Sequence, residues 1–98
     1  MVYVDPIQPT PQRWHRKWKY PSYCHMFADS EQELQDFARQ LGLRKGWFQD
    51  GSIPHFDLTA NKRLLARRLG ALEVSTKEWI RRLRVTDSLR IRNGGLVF

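Results

Sequence analysis

Hydrophobic and polar residues recur along this chain with two spacings, and the longer spacing predicts helices. Apolar residues three and four positions apart predict a first helix from about Glu31 to Leu41 with one buried face. Ser30 and Glu33 fit the capping box that begins a helix, and Gly42 follows where a left-handed residue is favoured. The sequence therefore predicts where this helix begins and where it ends.

Two further helices are predicted in the second half of the chain. One runs from about Ala60 to Leu69, with Leu65, Ala66 and Leu69 facing inward and either Asp57 or Thr59 as its N-cap. The other follows Ser75, which opens a further capping box. Both are preceded by short β-prone runs, a pattern typical of alternating strands and helices.

The β-prone runs predict short strands at residues 2–4, 23–28, 47–49 and 72–74. Strands that alternate with helices favour a single α/β domain, with a mainly parallel sheet of three or four strands and about three helices. Residues 1–75 are predicted to form its core, and residues 76–98 a basic helix and tail packed on the same domain. Alternation near the C-terminus predicts a terminal hairpin within 89–98.

Composition places the chain among small folded proteins. Its 98 residues suit one domain with a single modest core. Cys24 is the one cysteine, which excludes a disulfide framework or a cysteine-rich zinc site within the chain. No apolar run approaches the roughly 18 residues of a membrane span, and the N-terminus lacks a signal-peptide pattern. We expect a cytoplasmic protein that does not bind membranes.

Positive charge is concentrated in the last third of the chain. Residues 61–98 hold ten basic and three acidic residues, which accounts for the whole net charge of +7. Arginine, the majority type here, matches phosphate with its planar fork. This predicts contact with nucleic acid or a phosphorylated ligand; a solvated surface that maintains solubility is the alternative. The predicted phosphate-binding residues are Lys62, Arg63, Arg67, Arg81, Arg82 and Arg84.

A second basic segment interleaves aromatic residues with cations. Between Arg13 and Tyr20 the chain carries four lysines and arginines and three aromatic residues. Such a segment can stack bases and neutralise phosphates. It can equally dock its two tryptophans on the domain's own core, and the sequence leaves both interpretations open.

The candidate chemistry lies at two histidine-containing segments. If Phe56 points into the core from an extended segment, His55 and Asp57 share the opposite face. His25 is followed by Asp29 at the next helix start, so the two segments repeat one arrangement. The predicted catalytic group is His25, Asp29, His55 and Asp57.

A metal ion is the cofactor that these residue types favour. Carboxylate and imidazole ligands suit Mn²⁺, Zn²⁺ or Mg²⁺, and Asp5 joins the set because it ends the first strand. The predicted metal ligands are Asp5, His25, His55 and Asp57. Helix capping by the aspartates and structural hydrogen bonds by the histidines are the alternatives. Cys24 and His25 point to opposite faces of a strand, so they do not form a nucleophile–base pair.

Several ordered motifs resemble one family. They are Val2-Tyr3-Val4-Asp5, His25 to Ser30, Phe37 to Leu43, Trp47-Phe48-Gln49, Pro54 to Thr59 and Ala66 to Val74. The chain resembles the domain of unknown function 4031 family of small phage and bacterial proteins over most of residues 2–74. Phe56 departs from the tyrosine that the resemblance leads us to expect. The resemblance implies a phage or prophage origin but no established activity.

Three functions follow as hypotheses. The first is binding of nucleic acid or a phosphorylated ligand through the arginine-rich C-terminal third. The second is a metal-dependent nuclease or phosphoesterase that uses the histidine and aspartate cluster. The third is an inhibitor that binds an acidic host protein through the same basic face.

Overall fold

A computed structural model describes residues 1–14, 16–51 and 53–86 of the chain. This part contains five strands and three α-helices arranged as helices, sheet and helix in three layers. The strands are β1 (Val2–Val4), β2 (Gln8–Pro9), β3 (Ser22–Ala28), β4 (Phe56–Leu58) and β5 (Leu72–Glu73). The helices are α1 (Glu31–Gln40), α2 (Ala60–Arg68) and α3 (Thr76–Thr86), with 3₁₀ turns at Gln12–Trp14 and Lys45–Trp47.

Strand β3 organises the sheet because it pairs with three others. It runs antiparallel to β1, β2 and β4, while β5 pairs in parallel with β1. Met26 pairs with both Val4 and Phe56, so β1 and β4 lie on opposite edges of β3. The α/β class and the three helices are confirmed, but the prediction of a mainly parallel sheet of three or four strands is wrong, because the described sheet is mixed and has five strands. Helix α1 connects β3 to β4, yet β4 pairs with β3 in the antiparallel direction. A helix between two strands therefore does not make them parallel.

Helix ends agree closely with the sequence pattern. The Ser30 hydroxyl accepts the Glu33 N–H at the start of α1, and Thr59, rather than Asp57, caps α2 through the Lys62 N–H. Gly42 follows α1 with a φ of 78°, a left-handed conformation that residues with a Cβ rarely adopt. Asp57 therefore does not cap α2.

Two local predictions are wrong. Leu65 and Leu69 were expected to face inward, yet they are 37% and 44% exposed, because α2 packs on the sheet through the small Ala66. The strand predicted at 47–49 is replaced by a 3₁₀ turn, after which Gln49 alone bridges to His55. The predicted terminal hairpin lies outside the described residues.

Each face of the sheet is covered by a separate apolar cluster. Helices α1 and α2 cover the face that carries Val4, Cys24 and Met26. Helix α3 covers the other face, where Trp79 stacks on Phe27 with ring centroids 5.4 Å apart. Within the described residues no helix is long and apolar enough to cross a membrane. The second face also carries His25, so the candidate site lies beside α3.

Candidate metal centre

The register of the sheet places His25 between two aspartates. His25 pairs with Asp57 across β3 and β4, and on the other edge the Asp5 backbone N–H donates to the His25 carbonyl at 3.1 Å. His55 precedes Asp57 by two residues and shares its face, while Phe56 between them is 1% exposed. The prediction that His55 and Asp57 share the face opposite Phe56 is confirmed, but this face carries the second apolar cluster and both residues are partly buried on it.

Three side chains converge on one point. The Nε2 atoms of His25 and His55 lie 3.8 and 3.7 Å from Asp57 Oδ1. One ligand atom from each residue lies within 4.8 Å of the other two. Ligand atoms of a tetrahedral centre with bonds near 2.0–2.1 Å lie about 3.4 Å apart. Side-chain movements that shift these ligand atoms by a few tenths of an ångström to about one ångström would close the group around a cation.

Hydrogen bonds fix which nitrogen of each histidine faces this point. His55 Nδ1 lies 2.8 Å from the Ile53 carbonyl, which can only accept, so Nδ1 carries the proton. His25 Nδ1 lies 2.7 Å from the Asp5 carboxylate and donates to it in the same way. In the neutral rings Nε2 therefore carries the lone pair, and these are the two atoms that lie 3.8 and 3.7 Å from Asp57 Oδ1. This is the orientation that metal-binding histidines show.

Asp57 presents an unsatisfied oxygen to the same point. Its Oδ2 accepts a hydrogen bond from Gln49 Nε2. Its Oδ1 is buried, and no group in the described part of the chain hydrogen-bonds it. A buried acceptor without a partner costs roughly 1–3 kcal/mol, so its presence calls for an explanation. A cation held between Asp57 and the two imidazoles would supply the missing partner.

Asp5 lies behind His25 and orients it. Its side chain is fully buried and accepts from the His25 backbone N–H at 2.6 Å, from His25 Nδ1 and from the Thr76 hydroxyl. Burial alone would raise the pKa of Asp5, but these hydrogen bonds and the charge of His25 outweigh it and lower the pKa. Burial likewise opposes protonation of His25, yet Asp5 and then Asp57 leave the pKa of His25 raised. Asp5 is thus an ionised positioning residue.

The family comparison covers all of these residues. The model of the family described as "Protein of unknown function (DUF4031)" matches residues 2–86. The chain belongs to this family. The match includes α3, which the resemblance over residues 2–74 left out. No curated protein and no solved structure matches this DUF4031 chain.

Two other side chains considered from the sequence lie apart from this centre. Asp29 follows the far end of β3, where it accepts from the Tyr3 hydroxyl and pairs with the N-terminal amine at 3.3 Å. Cys24 is fully buried on the opposite face of the sheet. Its burial, aided by Asp5, raises the pKa of the Cys24 thiol to about 12, so the DUF4031 chain has no thiolate nucleophile there.

The predicted phosphate-binding residues occupy different environments. Lys62 donates to the Leu41 carbonyl, Arg67 to the Ala71 carbonyl, and Arg63 to both the Asp5 carbonyl and Glu73. Arg81 is exposed on α3, and the Arg82 guanidinium lies 4.6 Å over the Tyr3 ring. The Arg84 side chain lies outside the described part. Lys62, Arg63 and Arg67 of α2 thus brace the fold, while α3 presents Arg81 to solvent.

Sequence reasoning missed three residues around the centre. Tyr23 lies two positions before His25 on the same face of β3, a placement that strand alternation could have revealed. Gln49 and Thr76 reach Asp57 and Asp5 from distant segments, and no local pattern signals either contact.

The candidate metal centre lies outside a cavity found in the described part of the chain. A cavity of about 300 Å³ lies between α1 and the end of α2. It is lined by Met1, Val2, Glu33, Asp36, Phe37, Gln40, Leu69 and Gly70. His25, His55 and Asp57 do not line this cavity, so the candidate metal centre is indicated by the chemistry of its side chains and not by a concave surface.

Proposed function

We propose that the protein binds a divalent cation through His25, His55 and Asp57 and uses it to hydrolyse phosphate esters. One observation carries this proposal: two histidines with preset tautomers and a buried carboxylate oxygen without a partner converge on one point. Structural histidines and helix-capping aspartates, the alternatives from sequence, do not account for that convergence.

The donor set favours Zn²⁺ or Mn²⁺ among the candidate ions. Imidazole suits zinc and related transition metals, whereas Mg²⁺ prefers oxygen ligands and retains its waters. Asp5 behind His25 and the Ile53 carbonyl behind His55 accept hydrogen bonds from Nδ1, as the groups behind metal-binding histidines do. Asp5 itself is occupied by His25 and Thr76, so we assign it to positioning the ligand His25.

Three protein ligands suit catalysis better than structure. Structural zinc sites are closed by four protein ligands, while catalytic sites leave a position for water. His25, His55 and Asp57 are each 16–18% exposed, so solvent reaches the group. A bound divalent ion lowers the pKa of such a water. In the hydrolysis, the water oxygen bonds to phosphorus, the ester P–O bond breaks, one water proton passes to solvent, and the departing oxygen takes up a proton.

Charge supports a phosphate ester as the substrate. Helix α3 covers the face of the sheet that carries the centre, and its Lys77 and Arg81 are exposed. The chain carries a net charge of +7, which raises the local concentration of polyanions such as nucleic acid. Nucleic acid is therefore the substrate class that we favour.

Calorimetric titration of Zn²⁺ and Mn²⁺ into chelator-treated protein tests the centre. We expect one ion per chain for the wild type and none for the double variant His55→Ala, Asp57→Ala. Hydrolysis of bis(p-nitrophenyl) phosphate should require the added ion and fall to background in that variant.

The matched control is Asp36→Asn, which removes a carboxylate from α1 on the other side of the sheet. It should bind the metal and turn over substrate like the wild type. Absence of stoichiometric binding by the folded wild type, or equal binding by the double variant, would refute the metal centre.

A second candidate is binding of nucleic acid without catalysis. The charge asymmetry favours it, since residues 61–98, with ten basic and three acidic residues, account for the entire net charge of +7. It predicts salt-sensitive binding of nucleic acid with no metal-dependent turnover, because phosphate contacts release counterions. The hydrolysis assay separates the two candidates.

A further inference from the structure

We propose that the hairpin arm, defined as residues 11–14 and 16–21, binds single-stranded nucleic acid and guides it to the metal centre. The direction of guidance rests on the proposed function, whereas the binding itself stands on separate observations. These are the attachment of the arm to β3, its ring contacts and its unpaired charges.

The arm is the loop of the β2–β3 hairpin and is fastened at its base. Below it, Gln8 pairs with Tyr23 and Pro9 with Ser22. The Thr10 N–H and hydroxyl donate to the carbonyls of Pro21 and Tyr20 at 3.0 and 2.8 Å. Because β3 continues from this base to His25, the arm has a fixed position relative to the centre.

A line of ring contacts runs from the arm to the metal ligands. The Trp14 ring centroid lies 4.7 Å from that of Tyr23, and Tyr23 lies 5.4 Å from His25. His25 lies in turn 5.3 Å from His55. Trp14 in the arm is therefore two ring contacts away from the proposed ligand His25.

The cations of the arm have no acidic partner among the residues that the structure describes. Residues 6–28 contain no acidic residue, while four cations fall within the arm. All four are exposed, and none forms an ion pair in the described part of the chain: they are Arg13, Arg16, Lys17 and Lys19. Exposed cations that alternate with aromatic residues along the chain are typical of segments that bind single-stranded nucleic acid.

The aromatic residues of the arm divide into anchors and a free platform. Trp14 packs on Tyr23, and the Trp18 indole donates to the Ser22 carbonyl at 3.0 Å, so both tryptophans are partly buried. Tyr20 is 54% exposed and touches the Trp18 ring edge-on at 5.4 Å. Docking of the tryptophans and stacking by Tyr20 are thus compatible. Only an unpaired base can use such a platform, which favours a single strand over a duplex.

Fluorescence anisotropy with a labelled twelve-nucleotide oligo(dT) tests the site, first with chelator and then with Zn²⁺. Tyr20→Ala should weaken binding roughly tenfold, since one stacked base contributes about 1–3 kcal/mol. Tyr20→Phe keeps the ring and should retain most of the affinity. The pair Arg13→Ala, Lys17→Ala should lower the slope of log affinity against log salt by about 1.4.

The charge-matched control is Arg39→Ala, Arg68→Ala on α1 and α2, which cover the other face of the sheet. It should affect the affinity and the salt slope less than the arm pair does. Circular dichroism of each variant establishes that it is folded. Absence of oligo(dT) binding by the wild type, or an equal loss in the control, would overturn the proposal.

The two proposals fail separately. Arm-dependent binding of oligo(dT) without metal binding would retain this inference and remove the hydrolase. Metal-dependent hydrolysis of bis(p-nitrophenyl) phosphate without oligo(dT) binding would retain the hydrolase and overturn this inference.

Discussion

At the scale of single residues, Asp5 and Asp57 show how one residue type is given two roles by its surroundings. Both flank His25 across the strands, yet Asp5 is saturated with hydrogen bonds and Asp57 keeps one buried oxygen unpaired. The saturated carboxylate can orient a ligand, and the unsaturated one can be a ligand. Sequence placed both in one metal set because it cannot show which oxygens are already occupied.

The role of Asp5 is tested by Asp5→Asn, which keeps the shape but removes the charge that holds His25 Nδ1–H. Loss of the hydrogen-bond acceptor behind a metal-binding histidine typically lowers metal affinity 10- to 100-fold, and we expect a loss in that range. Calorimetry with Zn²⁺ measures it, and a thermal melt of the variant checks the fold. An unchanged affinity in a folded variant would contradict the positioning role.

At the scale of elements, the start of α2 separates stability from function. Thr59 caps the helix, while Asp57, two residues earlier, belongs to the proposed metal centre. The sequence allowed either residue as the cap, because both have a short side-chain oxygen at the right distance. The strand β4 decides between them, since it commits Asp57 to pairing with His25.

Two substitutions distinguish these roles. Thr59→Ala should lower the free energy of unfolding by about 1 kcal/mol and leave Zn²⁺ affinity unchanged. Asp57→Asn should abolish Zn²⁺ binding with little loss of stability in chelator, because the amide oxygen can keep the hydrogen bond from Gln49 while the unpaired carboxylate oxygen Oδ1 is removed. Urea unfolding and calorimetry on both proteins provide the measurements; the opposite pattern would make Asp57 the structural residue.

The sequence predicted helices better than strands for a physical reason. Helix periodicity and caps are local, so Ser30, Gly42 and the bounds of α1 could be recognised within a dozen residues. Pairing of β3 with three partners depends on contacts between segments that are distant along the chain, as do the contacts of Gln49 and Thr76. The Leu65 error has the same origin, because only the sheet determines which face of α2 is covered.

At the scale of the whole molecule, α3 completes both the second apolar cluster and the centre. Trp79 is 2% exposed and stacks on Phe27, and its ring centroid lies 4.8 Å from that of Tyr3. At the start of α3, the Thr76 hydroxyl donates a hydrogen bond to the Asp5 carboxylate. The helix therefore joins the core to the positioning residue. The family match over residues 2–86 includes it.

Trp79→Ala should lower the free energy of unfolding by about 3–5 kcal/mol, the usual cost of removing a buried tryptophan. Trp79→Phe should cost much less, because it keeps a ring on Phe27 and removes an indole N–H that is buried without an acceptor among the described residues. Urea denaturation of both variants measures the difference. Equal losses would show that α3 does not depend on this ring contact.

The ligands of the centre are scattered along the chain, at positions 25, 55 and 57, and are oriented by residues 5 and 76. An unfolded chain therefore has no preformed chelate, and an ion that binds this cluster selects the folded state. By mass action, an ion at one hundred times its Kd stabilises that state by about 2.7 kcal/mol. The melting temperature would then rise with the concentration of the correct ion, so the protein's own heat stability can identify that ion before any substrate is known.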